Sequence, residues 1–426
     1  MTGEHHPCCY SSFSYGSFRD DGLENTWNSE KARWFRSKIA AGEFPDSTCE
    51  NCYSTGTPTP FSRTLAPVFN HAWSLVFQYA CDRGVEVTLG ECAAVKDFFQ
   101  LFSEKELEQS GRQSIKRFSR LLSRLRAVFD PVPDVMVEKA LEKLELCIPI
   151  VRSYLTGDES PEVVAPYRQV YLVARCNARC IHCVGLFTGE ISRGLTLLDG
   201  SRGKVMQAQE ANEAFARSEH IISFFMGGSE FLLYKDWRGL ANTLHASGVR
   251  LSVSSNGVLL NRSNVDFLFS EPYLANLNLS IDGATRETIE AIRVNVKYDD
   301  LVGNIDYLID VMETTSSQTT LGFSFLLIKR NYQELPMFFD FLDRLRRGRS
   351  VSMNVTIQSL DHAPNDEYKD FMSREHLANV EEASLRGVFS EAALRSAKLN
   401  IPATAFFSWN LTSFVENNVA FPKLGA

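Results

Sequence analysis

The sequence predicts an α/β fold in which a parallel sheet with crossover helices fills residues 167–360. Short apolar, β-rich runs recur at Gln169–Ala174, His220–Phe225, Arg250–Ser254, Ala275–Ile281, Leu321–Ile328 and Ser352–Thr356. Helical stretches such as Trp237–Ser247 and Arg286–Arg293 lie between them. Six βα units in one segment imply parallel strands joined by helices, with functional residues at the C-terminal strand ends. The length of 426 residues calls for further units beside this sheet, because a single core rarely grows past about 250–300 residues.

Taken in order, residues 1–60 are rich in Cys, Ser, Gly and aromatics, with one helical stretch near Ser29–Ala41. Thr55–Pro60 (TGTPTP) reads as a linker. Residues 61–166 carry helical periodicity through Phe98, Phe99, Leu101 and Phe102, then Phe118, Leu121, Leu122 and Leu125, then Val137, Ala140, Leu141, Leu144 and Leu146. Pro131 and Pro133 break that run, and Thr156–Pro166 (TGDESPEVVAP) reads as a second linker. Residues 361–426 begin helical and polar and end, from Ile401, in an aromatic β-like stretch.

Charge and hydropathy exclude some classes. The net charge of −8, from 52 acidic and 44 basic residues, argues against a generic nucleic-acid binder, which is usually basic. No apolar run approaches the ~20 residues of a membrane span. The first residues, MTGEHHPCCYSS, have neither a basic nor an apolar signal region, so a cytoplasmic location is expected.

Ten cysteines in a long chain without a leader do not suggest a disulfide framework. Seven of them form tight sets: Cys8 and Cys9, Cys49 and Cys52, and Cys176, Cys180 and Cys183. In a reducing compartment such sets read as metal or cluster ligands. The set Cys176-x3-Cys180-x2-Cys183 follows directly on the first expected strand. Three thiolates on one short loop can bind three irons of a cubane cluster and leave the fourth open to an external ligand. The alternative is structural zinc, which usually takes four ligands in two CxxC-like pairs.

Across about residues 167–360 the chain resembles the radical S-adenosylmethionine (SAM) superfamily. Beyond the cysteines, Met226-Gly227-Gly228-Ser229-Glu230-Phe231-Leu232-Leu233 is similar to the family's GGEPLL segment, with Ser229 and Phe231 as departures. Ser255-Asn256-Gly257 is similar to its TNG. Leu279-Ser280-Ile281-Asp282-Gly283-Ala284-Thr285 and then Ile292-Arg293 resemble the SLDGA…IR of the peptide-modifying branch. The resemblance implies a partial (β/α)6 TIM-type barrel in which Cys176, Cys180 and Cys183 hold a SAM-binding 4Fe–4S cluster. It implies SAM contacts at His182, Gly227, Gly228, Ser229, Glu230, Ser255, Asn256, Ser280, Asp282, Arg293 and Ile328. Of these, Glu230 would meet the amino group, Ser280 and Arg293 the ribose and carboxylate, and His182 and Ile328 the adenine.

Gly3, Cys8, Thr26-Trp27-Asn28-Ser29-Glu30-Lys31, Arg36, Gly42-Glu43-Phe44-Pro45 and Cys49-Glu50-Asn51-Cys52 resemble the SPASM-type auxiliary-cluster domain, here placed before the barrel. Cys8, Cys49 and Cys52 are the implied ligands, with Cys9 the nearest fourth and Cys81, Cys92 or Cys147 as alternatives. One auxiliary cluster is expected rather than two, and four cysteines ending in CxxC would also suit zinc. The stretch Phe406–Pro422 resembles the opening hairpin of the same domain without its cysteine, which implies a split domain with the chain ends together. The plainer alternative is a hairpin over a sheet edge. Cys81, Cys92 and Cys147 read as small core residues, and His5 and His6 as solvated.

The resemblance implies reductive SAM cleavage and hydrogen abstraction from a peptide or small-molecule substrate, with a flavodoxin- or ferredoxin-type electron donor. A C–C, C–S or related bond would form in a peptide or natural-product intermediate. A sulfur-inserting enzyme that consumes the N-terminal cluster is a second reading. A non-catalytic iron–sulfur or zinc scaffold or electron carrier is a third, and the SAM-contact segments speak against it.

Overall fold

A computed structural model describes residues 4–5, 13–41, 60–101, 109–132, 134–156, 167–170, 175–187, 223–226, 229–246, 249–317, 319–360 and 365–406, with isolated residues between some of these segments. Cys8, Cys9, Cys49, Cys52, Gly227, Gly228 and residues 407–426 lie outside them, as do the side chains of His5 and His6 and most of both expected linkers.

Seven parallel strands form the main sheet: β1 (Tyr167–Val170), β2 (Ser223–Met226), β3 (Leu251–Ser255), β4 (Leu274–Ser280), β5 (Thr320–Leu326), β6 (Met353–Gln358) and β7 (Ala403–Phe406). Each lies beside its predecessor, so the sheet runs in chain order. Crossovers of one hand in a single direction put every helix on the same face. The sheet therefore curls into a partial barrel, with β1 and β7 at its two ends.

One-sided cover explains the composition of the strands. Leu251 and Val253, Leu277 and Leu279, Leu321, Phe323 and Phe325, and Val355 and Ile357 are buried with the helices. Their alternates Ser252, Ser254, Asn276, Asn278, Ser324, Asn354 and Thr356 are half-buried. A parallel sheet covered on both faces would read as unbroken apolar runs.

Six strands are expected from the sequence and the structure has a seventh. After Gln358 come the helices Asp366–Glu375 and Glu382–Leu399, the second ending at Asn400 in a left-handed conformation (φ 52°). That turn, with Ile401 N donating to Ser396 O (3.0 Å), returns the chain parallel to β6. Ala403–Phe406 is thus a parallel edge strand, and the hairpin expected at Phe406–Pro422 falls on residues that, from 407 on, lie outside those described. The idea of a split auxiliary domain falls on residues outside those described.

Before the barrel, helices Pro60–Asp82, Leu89–Gln100, Gln109–Phe129 and Val135–Thr156 share their own core. Phe98 and Phe118 stack at 4.2 Å between centroids, and Phe69 lies 5.7 and 5.4 Å from them. Thr88 and Glu91 form a capping box, and Arg124 pairs with Glu91 (2.7 Å). Of the cysteines expected in this core, Cys147 is buried, Cys92 is half-buried and Cys81 is exposed. Val76 and Ala80, four residues apart, face the core, and Cys81 is turned about 100° from Ala80 and about 140° from Val76.

The N-terminal segment has a small core of Tyr15, Ala32 and Phe35. Its WNS…R pattern is structural: Ser29 caps helix Glu30–Ala40 by accepting from Ala32 N (3.2 Å). Arg36 lies over the Trp27 ring (4.9 Å) and donates to Trp27 O (3.0 Å). No helix among the described residues is long and apolar enough to cross a membrane.

Phe118→Ala removes the centre of the helical core and should cost about 3–5 kcal/mol, whereas Leu394→Ala, at a side chain 72% exposed, should be within about 0.5 kcal/mol of wild type. Chemical denaturation followed by circular dichroism checks both. A wild-type midpoint for Phe118→Ala would contradict the assigned packing.

Candidate active site

The cysteine loop is fastened on several sides. Arg179–Cys180 pairs antiparallel with Arg293–Val294, and Ile181 N donates to Ile292 O (3.0 Å). Cys183 begins the short helix Val184–Phe187, whose last carbonyl accepts from Asn365 Nδ2 (2.9 Å). Tyr368 Oη donates to His182 O (3.1 Å), and its ring meets Phe187 edge-on at 5.0 Å. The helix after β6 thus clamps a loop that follows β1.

The end of β2 is tied to the same loop. Ser229 Oγ donates to Val173 O, and Glu230 N donates to Arg175 O (3.1 Å). Glu230 is buried, and burial pushes its carboxyl up to about 7. Its oxygens accept from Ser255 Oγ (3.0 and 3.1 Å), Asn256 N (2.9 Å) and Leu232 N (3.4 Å). It therefore fixes the Ser255-Asn256-Gly257 turn at the end of β3. Gly257 has φ +80°, and a Cβ there would meet Leu301 at 2.5 Å, so this turn requires glycine.

Two of the three sulfurs receive side-chain N–H groups. Asn256 Nδ2 lies 3.5 Å from Cys176 Sγ and 2.7 Å from Asn177 Oδ1. Arg293 Nη1 lies 3.5 Å from Cys180 Sγ. Arg293 is buried and pairs through Nη2 with Asp282 Oδ2 (2.7 Å). Asp282, also buried, accepts from Leu326 N (2.9 Å) at the end of β5, and its carbonyl accepts from Asn331 Nδ2 (2.9 Å). His182 Nε2 stands 3.4 Å from Asp282 Oδ2, and burial pushes its imidazole down to about 4, so it is neutral at ordinary pH.

Burial pushes all three thiols above their ordinary range. Ionising them takes a bound metal, with release of their protons. Three thiols on one short loop match the three protein ligands of a cubane that leaves one iron open. The loop fits a 4Fe–4S cluster held by three cysteines.

Cys176, Cys180, Cys183, His182, Asn256, Asp282 and Arg293 are brought together, with Glu230 and Ser255 directly behind. Ser280 is half-buried at the end of β4. Ile328 is wholly buried against Ile292, Leu360 and Tyr368, with its N donating to Asn331 Oδ1 (2.8 Å). Asn331, Asn365 and Tyr368 are supports the sequence reading does not single out. Asn365 lies 178 positions from Phe187, so only the fold connects them.

Residues 170–342 match the family model of the Radical SAM superfamily. That stretch is a radical SAM domain. Residues 1–53 match SPASM, an iron–sulfur cluster-binding domain, which here precedes the barrel. The cofactors of this radical SAM protein are accordingly a 4Fe–4S cluster with SAM at the barrel and an auxiliary iron–sulfur cluster in the SPASM domain. The Fe-coproporphyrin III synthase of Methanosarcina barkeri is 27% identical over 180 residues, 40% of this chain and 39% of that protein. The AdoMet-dependent heme synthase of the same organism is 26% identical over 175 residues, 41% and 46% of the two chains. The chain thus spans less than half the length of these curated relatives. Streptococcus suis SuiB bound to SAM is similar in structure, with a TM-score of 0.45 at 12% identity over 76% of this chain and 66% of that one.

Replacing Cys176, Cys180 and Cys183 together by Ala should remove about four irons per chain after anaerobic reconstitution. Iron analysis checks this, and an unchanged iron content would contradict the assigned ligands.

Proposed function

We propose that this radical SAM protein cleaves SAM reductively and abstracts hydrogen from a peptide or natural-product intermediate, forming a C–C, C–S or related bond. The observation that carries the reading is the three-thiol loop at the C-terminal end of β1. Its sulfurs meet Asn256 from the end of β3 and Arg293 from beyond β4. When bound, the cluster held by Cys176, Cys180 and Cys183 would supply the one electron that reductive cleavage of SAM requires. The electron comes from a flavodoxin- or ferredoxin-type donor.

The chain's own groups bind and orient. Cys176, Cys180 and Cys183 would hold the cluster. Glu230 keeps the β3 turn in place, and Tyr368 and Asn365 hold the loop closed. Ser280 is the polar side chain at the mouth of β4, in register with Ser324 of β5. The auxiliary cluster suits electron acceptance from the product or substrate binding.

The inner face of the sheet supports the substrate class. Its side chains on β3 to β6 include Ser252, Ser254, Asn276, Asn278, Ser280, Ser324, Asn354, Thr356 and Gln358, all uncharged and polar, with the apolar Leu326 beside Gln358. Asn278 Nδ2 donates to Ser324 Oγ (2.8 Å). A Cβ on Gly322 would meet Asn278 Oδ1 at 2.9 Å and Asn354 Oδ1 at 3.3 Å, so these amides flank a bare strand position. Such a face matches peptide groups or hydroxyls in number and polarity. A porphyrin polycarboxylate, the type of molecule for which the two Methanosarcina relatives are named, would meet no cation among these described side chains of β3 to β6.

With dithionite and SAM, the reconstituted protein should form 5′-deoxyadenosine, and the triple Ala variant should form less than about 1% as much. Equal yields would overturn the reading. Mass spectrometry with added Fe-coproporphyrin III should show no decarboxylated product, and turnover of that compound would overturn the peptide or natural-product assignment.

A further inference from the structure

The sequence resemblance assigns Arg293 to the carboxylate of SAM; its Nε has no hydrogen-bond partner, and its two terminal nitrogens reach protein groups. One nitrogen, Nη2, is 2.7 Å from Asp282 Oδ2, and another, Nη1, is 3.5 Å from Cys180 Sγ. The side chain is 7% exposed and that of Asp282 is 1% exposed. Asp282 is itself fixed by Leu326 N and by Asn331, which also holds Ile328 N. The end of β5 thus locks Asp282, Asp282 locks Arg293, and Arg293 is aimed at a cluster sulfur. We propose that Arg293 is a positioning residue for the cluster: its charged N–H to Cys180 raises the barrel cluster's reduction potential, and Asp282 holds it there.

The inference rests on reading Cys176, Cys180 and Cys183 as cluster ligands. Its physical basis is charge. Reduction adds one electron, delivered by an external donor, to a cluster that already carries three thiolates. A fixed cation donating to one sulfur stabilises the reduced form more than the oxidised form. Burial keeps water from screening the interaction. The pairing with Asp282 offsets part of the charge, so the donor's direction matters as much as its sign. The side-chain donor to Cys176 is the neutral amide of Asn256, whereas the charged side-chain donor goes to Cys180.

The test is an EPR-monitored redox titration of the SAM-free, full-length, reconstituted protein, with dithionite and mediators. The barrel signal is identified as the one missing from the triple Ala variant. Arg293→Gln should move the barrel midpoint to a more negative potential, by a tenfold or larger change in the reduction equilibrium, which is about 59 mV for one electron. Arg293→Lys, which restores the charge without the fork, should recover part of that shift, and the auxiliary signal should stay in place. An unchanged barrel midpoint in Arg293→Gln, with its iron content intact, overturns the proposal. A fall in SAM affinity by equilibrium dialysis beside that unchanged midpoint would return Arg293 to the carboxylate. If the wild-type protein shows no signal that depends on Cys176, Cys180 and Cys183, the cluster reading fails, and the proposal with it.

Discussion

Three thiols on one loop must lose their protons in a place where burial opposes ionisation. Much of the C-terminal end of the sheet is arranged around that requirement. The end of β3 brings an amide to Cys176, and the segment after β4 brings a guanidinium to Cys180. The end of β2 supplies Glu230, which holds the β3 turn, and the helix after β6 holds the loop's own backbone. Each support comes from a different strand end, so the loop is correct only when the sheet is assembled. The residues nearest the sulfurs are accordingly buried and bonded to one another.

The second constraint is the one-way winding of the sheet. Strands added in chain order place all helices outside and leave the inner face open. The apolar alternates make the core with the helices, and the polar alternates line the interior without charge. The helical domain has a separate aromatic core of its own, through Phe69, Phe98 and Phe118.

Most of the sheet is legible in the sequence because one-sided burial imposes period-two alternation on parallel strands. Expected and observed strands agree within a few residues, as with Arg250–Ser254 against Leu251–Ser255. The seventh strand lies in the stretch from Ile401 that reads as β-like, but its place beside β6 is a pairing the sequence does not carry. Its direction depends on the left-handed turn at Asn400. Cys81 is misread because a helical residue next to a buried one, here Ala80, can still point outward. The site's sequence-local parts, the cysteine loop and the glycine turn at Gly257, are visible in the sequence. The pairing of Asp282 with Arg293, the clamp from Tyr368 and the hold of Glu230 on Asn256 join distant positions, and only packing reveals them. The role of Trp27 and Arg36 in the N-terminal pattern is likewise a contact, not a spacing.

The central claim is that the Cys176, Cys180 and Cys183 loop holds a cluster with one iron open to SAM. The most direct measurement is the EPR spectrum of the reduced protein before and after SAM is added. The account predicts that SAM shifts the g-values of the signal that depends on those three cysteines and leaves the auxiliary signal alone. A cysteine-dependent signal unmoved by saturating SAM would contradict it.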